Sequence, residues 1–281
     1  MITKKEQLIS HPIKILLQSL AFLVLIIVFI FPFFWILSNS LKTFKETMVF
    51  PPAVFPNKLI FSNYVEALNR MPFFKYLFNS ITVNVLILIS QFLVIIPASY
   101  AFAMYRFRGR GVLFTLVLFG FMLPQQLTFV PIYLLFGKLK LLNSYIPLVL
   151  PFAASSFSIF LLRQYFMSIP TEIIEAGYLD GMNSRQIMIY LMMPMAKSAL
   201  ASIALISFIT HWNDYFWPLV MTNTQKVRTL PLGVAALRVT DGTTEWNVLM
   251  AANMLLILPI LITYFFAHKQ IKEALIHSGI K

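Results

Sequence analysis

The residues that could carry out chemistry are few in this chain, and they form no familiar catalytic or metal-binding pattern. None of the 281 residues is a cysteine, which excludes disulfides, thiol catalysis and thiolate metal sites. The sequence also lacks the phosphate-binding pattern G-x-x-x-x-G-K-[ST] and the enzyme patterns G-x-S-x-G and H-E-x-x-H. We therefore expect no catalytic residue, no metal and no cofactor, and we expect any ATP hydrolysis to occur in another chain. The four histidines are scattered, without ligand spacing: His11, His211, His268 and His277.

Asp214 is the only acidic residue inside a long apolar stretch, and it admits three interpretations. It lies three residues after His211, so a helix would place both on one face, as in a membrane-embedded lipid-modifying enzyme. It could instead be a polar cap near the outer membrane surface, about 24 Å along a helix that starts at residue 198. In the third interpretation it lines the outer mouth of a transport pathway with other polar and aromatic residues: Trp212, Asn213, Tyr215 and Asn253.

A polar segment at residues 163–197 has the pattern of two helices joined by a glycine turn. Gly181 suits a left-handed turn that ends the first helix. Asn183 or Ser184 can cap the second helix, which Pro194 would stop or kink. The apolar residues of the first helix would then face solvent, and they need either a partner protein or the membrane surface. These residues recur at helical spacing: Ile173, Ile174, Ala176 and Leu179.

The elements that position these residues follow from an unusually apolar composition. Hydrophobic residues make up 59% of the chain and charged residues only 11%, with a mean hydropathy of +0.80. A soluble domain averages about 25% charged residues, and so apolar a soluble fold would expose large apolar patches. The composition therefore indicates an integral membrane protein. The net charge of +12 is typical of loops near anionic lipid rather than of a nucleic-acid binder.

Six apolar stretches are long enough to cross a membrane, because about 20 helical residues span the hydrocarbon core. Five contain no charged residue, and their continuously apolar character excludes a β-barrel. The sequence predicts an all-α polytopic membrane protein with six transmembrane helices. The predicted spans are residues 15–41, 76–105, 111–137, 141–162, 198–221 and 246–267.

Basic residues and loop patterns predict the orientation and one outer helix. Arg106, Arg108 and Arg110 occupy one short loop without an acid, and such loops translocate poorly, which favours cytoplasmic N- and C-termini. In the resulting outer loop, Asn63 followed by Glu66 has the spacing of a capping box, which predicts a short helix on the outer surface.

The 163–197 segment resembles the EAA motif of ABC-transporter permeases, Glu-Ala-Ala-x3-Gly-x9-Ile-x-Leu-Pro. Here the motif reads Glu175-Ala176-Gly177, three residues, Gly181, nine residues, then Leu191-Met192-Met193-Pro194. Gly177 stands in place of an alanine, and Leu191 and Met193 replace the aliphatic pair. Other stretches are similar to the second permease of carbohydrate importers, the MalG and UgpE type: residues 40–43, 79–80, 100–103, 106–109, 160–164, 212–218 and 278–279.

This resemblance implies a type I ABC importer permease (MetI-like) fold that forms a single permease domain over residues 1–281. It implies a core five-helix region at residues 76–270 and a cytoplasmic coupling loop at residues 163–197. The implied partners are a second homologous permease of the MalF and UgpA type, two cytoplasmic ATPase subunits and an extracytoplasmic solute-binding protein. The implied location is the bacterial cytoplasmic (inner) membrane. The residues implied to couple to the ATPase are Glu175, Ala176, Gly177, Gly181 and Pro194.

Two cargo classes are compatible with the sequence. The run at residues 242–247 looks like the glycerol-phosphate branch of the resembled permeases, which indicates sn-glycerol-3-phosphate or its diesters. The charge-free spans favour a neutral mono- or oligosaccharide, because a dianionic phosphate in a low-dielectric passage needs a cation or several aligned donors.

Overall fold

The computed structural model describes the backbone of residues 4–239 and 244–278, and these residues contain helices and turns but no strand. Side chains are described for residues 15–124, 127–238 and 244–266. The chain divides into two compact units. One comprises residues 1–71 and 236–257, and the other comprises residues 72–235 and 258–281.

The first unit contains one long helix and two short ones. Its elements are α1 (Lys4–Ser40), α2 (Phe44–Thr47) and α3 (Ser62–Asn69), followed much later in the chain by the 3-10 turn Leu237–Val239 and the first part of the last helix, α15 (Trp246–Ser278). The side chains of residues 15–33 in α1 are exposed all round, as expected for a helix surrounded by lipid.

The second unit contains the remaining helices. They are α4 (Phe73–Met104), α5 (Arg110–Met122), α6 (Gln125–Lys138), α7 (Ile146–Val149), α8 (Ser156–Met167), α9 (Thr171–Leu179), α10 (Ser184–Gln186), α11 (Met193–Met195), α12 (Lys197–Trp212), α13 (Phe216–Met221) and α14 (Leu230–Ala236). A 3-10 turn, Leu150–Phe152, follows α7, and a π-helical turn, Ile187–Met192, joins α10 to α11.

Within the described part of the chain, four helical segments are long and apolar enough to cross a membrane, and the number rises to six if each of two bent pairs is one span. The four are Ile15–Ser40, Phe73–Met104, Ile146–Met167 and Trp246–Phe266. The bent pairs are Arg110–Met122 with Leu127–Lys138, and Ser184–Met195 with Lys197–Trp212. The predicted all-α polytopic fold is confirmed in its helical content and its apolar spans.

Two predicted spans are not single straight helices. The 111–137 stretch bends by 96° after α5, because Pro124 lacks an N–H and Leu123 before it is extended. The 198–221 stretch breaks between α12 and α13. The fourth span begins at Ile146 and not at residue 141, since residues 141–145 form a turn. Hydropathy averaged over a span does not register such breaks, because the few polar residues at them, such as Asn213 and Asp214, lie between long apolar runs.

The predicted capping box at Asn63 is wrong, although the predicted helix is present. The helix begins at Ser62 without a side-chain cap. Asn63 is buried, and its amide group donates to the carbonyl oxygens of Ser40 and Lys42 at the end of α1. These carbonyls have no hydrogen-bond partner within α1. The Asn63 side chain therefore caps the end of α1 and not the start of α3, where it was expected to act. Glu66 instead pairs with Arg70.

Candidate functional site

The 163–197 segment folds as two helices joined by a glycine turn, as the sequence predicts. Helix α9 ends before Gly181, which has a φ of +81°. Asn183 then caps the following helix in a reciprocal capping box: its side-chain oxygen accepts from the N–H of Gln186 at 3.0 Å, and the Gln186 side chain accepts from the N–H of Asn183 at 2.8 Å. We call this unit, residues 171–195, the helical hairpin.

The two arms of the helical hairpin are in close contact at Gly177. A Cβ at this buried glycine would lie 2.7 Å from Cδ1 of Leu191 and 3.5 Å from Sδ of Met182. Gly177 and Leu191 are both positions at which the chain departs from the resembled motif. The departures are therefore complementary, because the smaller residue on one arm leaves room for the side chain on the other.

The base of the helical hairpin belongs to the main apolar core of its unit. Ile174 from α9 and Ile187 from the π-helical turn pack with buried residues of three long helices. These residues are Ile95, Ile96 and Tyr100 of α4, Leu162 and Phe166 of α8, and Ala199 and Ile203 of α12. Since a packed core transmits strain, a displacement of the hairpin reaches these helices directly.

The tip of the helical hairpin is exposed and partly apolar. Leu179 is 89% exposed, and Tyr178 and Tyr190 are also exposed. Four of the five residues implied to couple are exposed as well, namely Glu175, Ala176, Gly181 and Pro194, whereas Gly177 is buried. The helix continues past Pro194 to Met195 and then turns by 76° into α12, so the predicted bend occurs two residues after the proline.

A cavity of about 330 Å³ lies in the second unit, where several helices are interrupted. It lies beside the break between α5 and α6, the 3-10 turn after α7 and the end of α12. Non-helical backbone at membrane depth is tolerated where it lines a cavity or is buried in protein. None of its described lining residues is Lys, Arg, Asp or Glu, and the polar and aromatic ones among them are Gln91, Thr128, Phe152, Ser155, His211 and Trp217.

Asp214 does not share a helical face with His211, because α12 ends at Trp212. Its carboxylate accepts from the N–H of Trp217 at 3.1 Å, within the first turn of α13. The Asp214 side chain thus satisfies a backbone N–H at the start of α13. The His211 ring instead lies against Phe152, with centroids 4.6 Å apart.

The other predicted pathway residues do not line this cavity. Trp212 is buried, whereas Asn213 and Tyr215 are exposed. The amide of Asn253 donates to the carbonyl of Leu249 in its own helix. Their role in a pathway remains a prediction.

A row of buried polar residues in α4 is not among the residues predicted from the sequence. Ser80, Asn84 and Gln91 are buried and lie on one helical face. Ser80 accepts from the N–H of Leu230, and Gln91 donates to the carbonyl of Phe152 and accepts from Ser207. The signal was available, since three polar residues at intervals of four and seven in an apolar span indicate a face that contacts protein.

Asn79, beside this row, contacts the segment at residues 226–230. Its amide group donates to the carbonyl oxygens of Lys226 and Arg228, and its carbonyl accepts from the Tyr145 hydroxyl at 2.7 Å. These residues are structural and position the elements around the cavity.

Comparisons with known proteins give a family and several relatives. The family described as binding-protein-dependent transport system inner membrane component matches residues 95–276. The arabinooligosaccharides transport system permease protein AraQ of Bacillus subtilis (strain 168) is 29% identical over 94% of this chain and 94% of its own length. The sn-glycerol-3-phosphate transport system permease protein UgpE of Rhizobium meliloti (strain 1021) is 30% identical over 89% of this chain and 92% of its own length.

A solved structure has the same fold over almost the whole chain. It is described as the crystal structure of a bacterial ABC transporter involved in the import of the acidic polysaccharide alginate. The matching chain superposes with a TM-score of 0.77 at 26% sequence identity, covering 96% of this chain and 98% of its own.

Proposed function

We propose that this chain, which belongs to the family of binding-protein-dependent transport system inner membrane components, forms half of the transmembrane pathway of an ABC importer for a carbohydrate. The helical hairpin is the observation that carries this proposal. Its base is packed into the core of three long helices, and its tip presents apolar side chains to solvent. The chain transports and does not itself hydrolyse ATP.

The helical hairpin couples the chain to a separate ATPase. Leu179 at the end of α9 is almost fully exposed, and an apolar side chain in that state is typical of a protein contact. The glycine turn fixes the direction in which the tip points. An ATPase that closes on ATP would move the tip, and the shared core would pass this movement to α4, α8 and α12.

Leu179→Asp tests this coupling. The charge would be buried in the contact without a partner, so the ATPase should no longer co-purify with the chain and transport should cease. Thr171→Asp is the matched control, because it adds the same charge to the exposed first residue of the same helix, where an acid is favourable. Normal ATPase association in the Leu179→Asp variant would refute docking through this tip.

The remaining partners follow from family membership. A second homologous permease completes the pathway, two ATPase subunits bind on the cytoplasmic side, and a solute-binding protein delivers the cargo from outside. In this assignment residues 76–270 form the five-helix core of one permease domain, and residues 163–197 form its cytoplasmic coupling loop. The chain lies in the bacterial cytoplasmic membrane with both termini inside.

The proposed cargo is a neutral mono- or oligosaccharide. The five charge-free stretches supply no cation, and no charged residue lines the cavity beside the helix breaks. Such a surface suits hydroxyl groups, whereas a phosphate dianion would lose its hydration without gaining a counter-charge. The arabinooligosaccharide permease of Bacillus subtilis, whose name describes a saccharide cargo, supports this choice.

The alternative cargo is sn-glycerol-3-phosphate or a glycerophosphodiester. The Rhizobium meliloti relative is named for that substrate, and the similar solved structure belongs to an importer of an acidic polysaccharide. Residues 242 and 243, which begin the run resembling the glycerol-phosphate branch, lie outside the described residues. Under this alternative the second permease supplies the cation that this chain lacks.

ATPase stimulation distinguishes the two cargo classes. The assembled transporter is reconstituted with its binding protein, and ATP hydrolysis is measured with a panel of neutral mono- and oligosaccharides and with sn-glycerol-3-phosphate. We expect a saccharide to stimulate hydrolysis. Stimulation by sn-glycerol-3-phosphate and by no saccharide would establish the alternative.

A further inference from the structure

The outer loop, residues 43–60, folds back along α1 instead of extending away from it. Ser38 lies in the last turn of α1, and its hydroxyl donates to the carbonyl of Val54. One turn deeper, the ring of Phe34 contacts the ring of Phe55, with centroids 5.5 Å apart and planes at 69°. The middle of the outer loop therefore lies beside α1 at the level of Phe34.

Polar contacts fix this conformation at the base of the outer loop. Lys42 is 1% exposed, and its ammonium group donates to the carbonyl of Ala53 and to the side chain of Asn39. On the solvent side, Glu46 accepts from the N–H groups of Thr43 and Asn57, and these bonds hold the pKa of its carboxyl below its usual range. The outer loop therefore has a defined conformation and a defined position against α1.

The level of Phe34 corresponds to the boundary of the hydrocarbon core. Lys14 is the last charged residue before the apolar run of α1 and marks the opposite boundary. Residues 15–34 rise about 30 Å as a helix, which is the thickness of a typical hydrocarbon core. Beyond Phe34 come buried polar residues, which are Ser38, Asn39, Ser40 and Lys42.

The side chains of residues 50–55 in the outer loop are apolar and exposed. Phe50 is 92% exposed and Phe55 is 70% exposed, and between them lie two prolines, an alanine and a valine. The charged and amide side chains of the loop, Lys45, Glu46, Asn57 and Lys58, lie on the flanks of this apex. Two aromatic rings on an apolar turn, flanked by basic residues, are typical of segments that sit in the membrane interface.

We infer that the apex of the outer loop, residues 50–55, inserts into the outer lipid leaflet beside α1, between the headgroups and the acyl chains. The occupant of this surface is lipid because α1 itself crosses the membrane and the contact between Phe34 and Phe55 places the apex at the edge of the hydrocarbon core. The insertion is independent of which cargo the transporter carries and of how it binds an ATPase.

Nitroxide depth measurements test this insertion. Because the chain has no cysteine, Phe50→Cys, Phe55→Cys and Lys58→Cys can each be spin-labelled at a single site in the assembled transporter, reconstituted in a phospholipid bilayer. Collision rates are measured with oxygen, which concentrates in lipid, and with a nickel chelate, which stays in water. We expect the ratio of oxygen to nickel accessibility to be several-fold higher at positions 50 and 55 than at position 58.

Two results would overturn the inference. Equal nickel accessibility at positions 50, 55 and 58 would place the apex in water. Protection of positions 50 and 55 from both reagents would show that protein, from the second permease or the binding protein, covers the apex. All three substituted side chains are exposed, and the hydrogen bonds of Ser38 and Lys42 to the loop backbone remain when Phe55 is replaced, so the substitutions should leave the fold intact. Transport activity is the control for each labelled variant.

Discussion

At the scale of single residues, Gly233 has the least space among the described glycines. A Cβ there would lie 2.3 Å from Cδ2 of Tyr76, and this residue is only 2% exposed. Gly233→Ala should therefore lower the free energy of unfolding by about 1–3 kcal/mol, as overpacked cores do. The measurement is the thermal unfolding midpoint of the purified chain in detergent.

The matched control for this prediction is Gly111→Ala. Nothing lies within 4 Å of a Cβ at Gly111, which is in the first turn of α5, so alanine should be neutral or slightly stabilising. An unfolding midpoint for Gly233→Ala that equals that of the Gly111→Ala variant would contradict the packing argument.

Residues whose role depends on the local backbone were predictable from sequence, and residues with distant partners were not. Gly181 and Asn183 adopt the left-handed turn and the helix cap that their types and spacing indicate. Asn63 fits a capping pattern equally well, yet its amide contacts carbonyls more than 20 residues away and the side chain of Asn247. A local pattern contains no information on such contacts.

At the scale of elements, the helical hairpin depends on the fit between Gly177 and Leu191. Gly177→Val should push the arms apart and lower the unfolding midpoint, because its branched side chain would overlap Leu191. Leu191→Ala in the same chain should restore part of the loss. A double-mutant cycle on unfolding free energies should therefore give a coupling of about 0.5 kcal/mol or more.

Ala176→Val controls for the lower helix propensity of valine at the neighbouring, exposed position of α9. It should change the unfolding midpoint less than Gly177→Val does. Strictly additive effects of Gly177→Val and Leu191→Ala would mean that the two side chains do not constrain each other.

Hydropathy predicted where the apolar segments lie, but it could not predict where they bend. Pro124 and Pro131 both lie in the third apolar stretch, and the chain turns sharply only at the first of them. Whether a proline bends a membrane helix depends on whether neighbouring elements provide hydrogen-bond partners for the backbone groups that the proline leaves unpaired. The sequence alone does not show these partners. The cavity beside these breaks could not be predicted either, because its lining residues come from separate segments between Gln91 and Trp217.

At the scale of the whole molecule, the predicted orientation has both termini in the cytoplasm. An impermeant thiol reagent applied to intact cells should modify Lys58→Cys and Gln225→Cys, which lie in the outer loops of this topology. It should not modify Gly109→Cys or Ser184→Cys, which lie on the cytoplasmic side with the arginine-rich loop. Because the chain has no cysteine of its own, each signal reports one position.

Permeabilised cells provide the control, since all four positions are then open to the reagent. Modification of Gly109→Cys and Ser184→Cys in intact cells would invert the topology and remove the helical hairpin from the side on which ATP is available.

The return of the outer loop to the level of Phe34 changes the hydrophobic length of the first span. The charge-free run of residues 15–41 would suit a bilayer about 40 Å thick, which would leave a mismatch of roughly 10 Å with an ordinary membrane and require strong tilt. Because the outer loop covers the last turns of α1, where its backbone carbonyls accept hydrogen bonds from Ser38 and Lys42, only the part below Phe34 is exposed to lipid on every side. Helix α1 can therefore lie nearly parallel to the membrane normal, and the outer loop restrains its tilt.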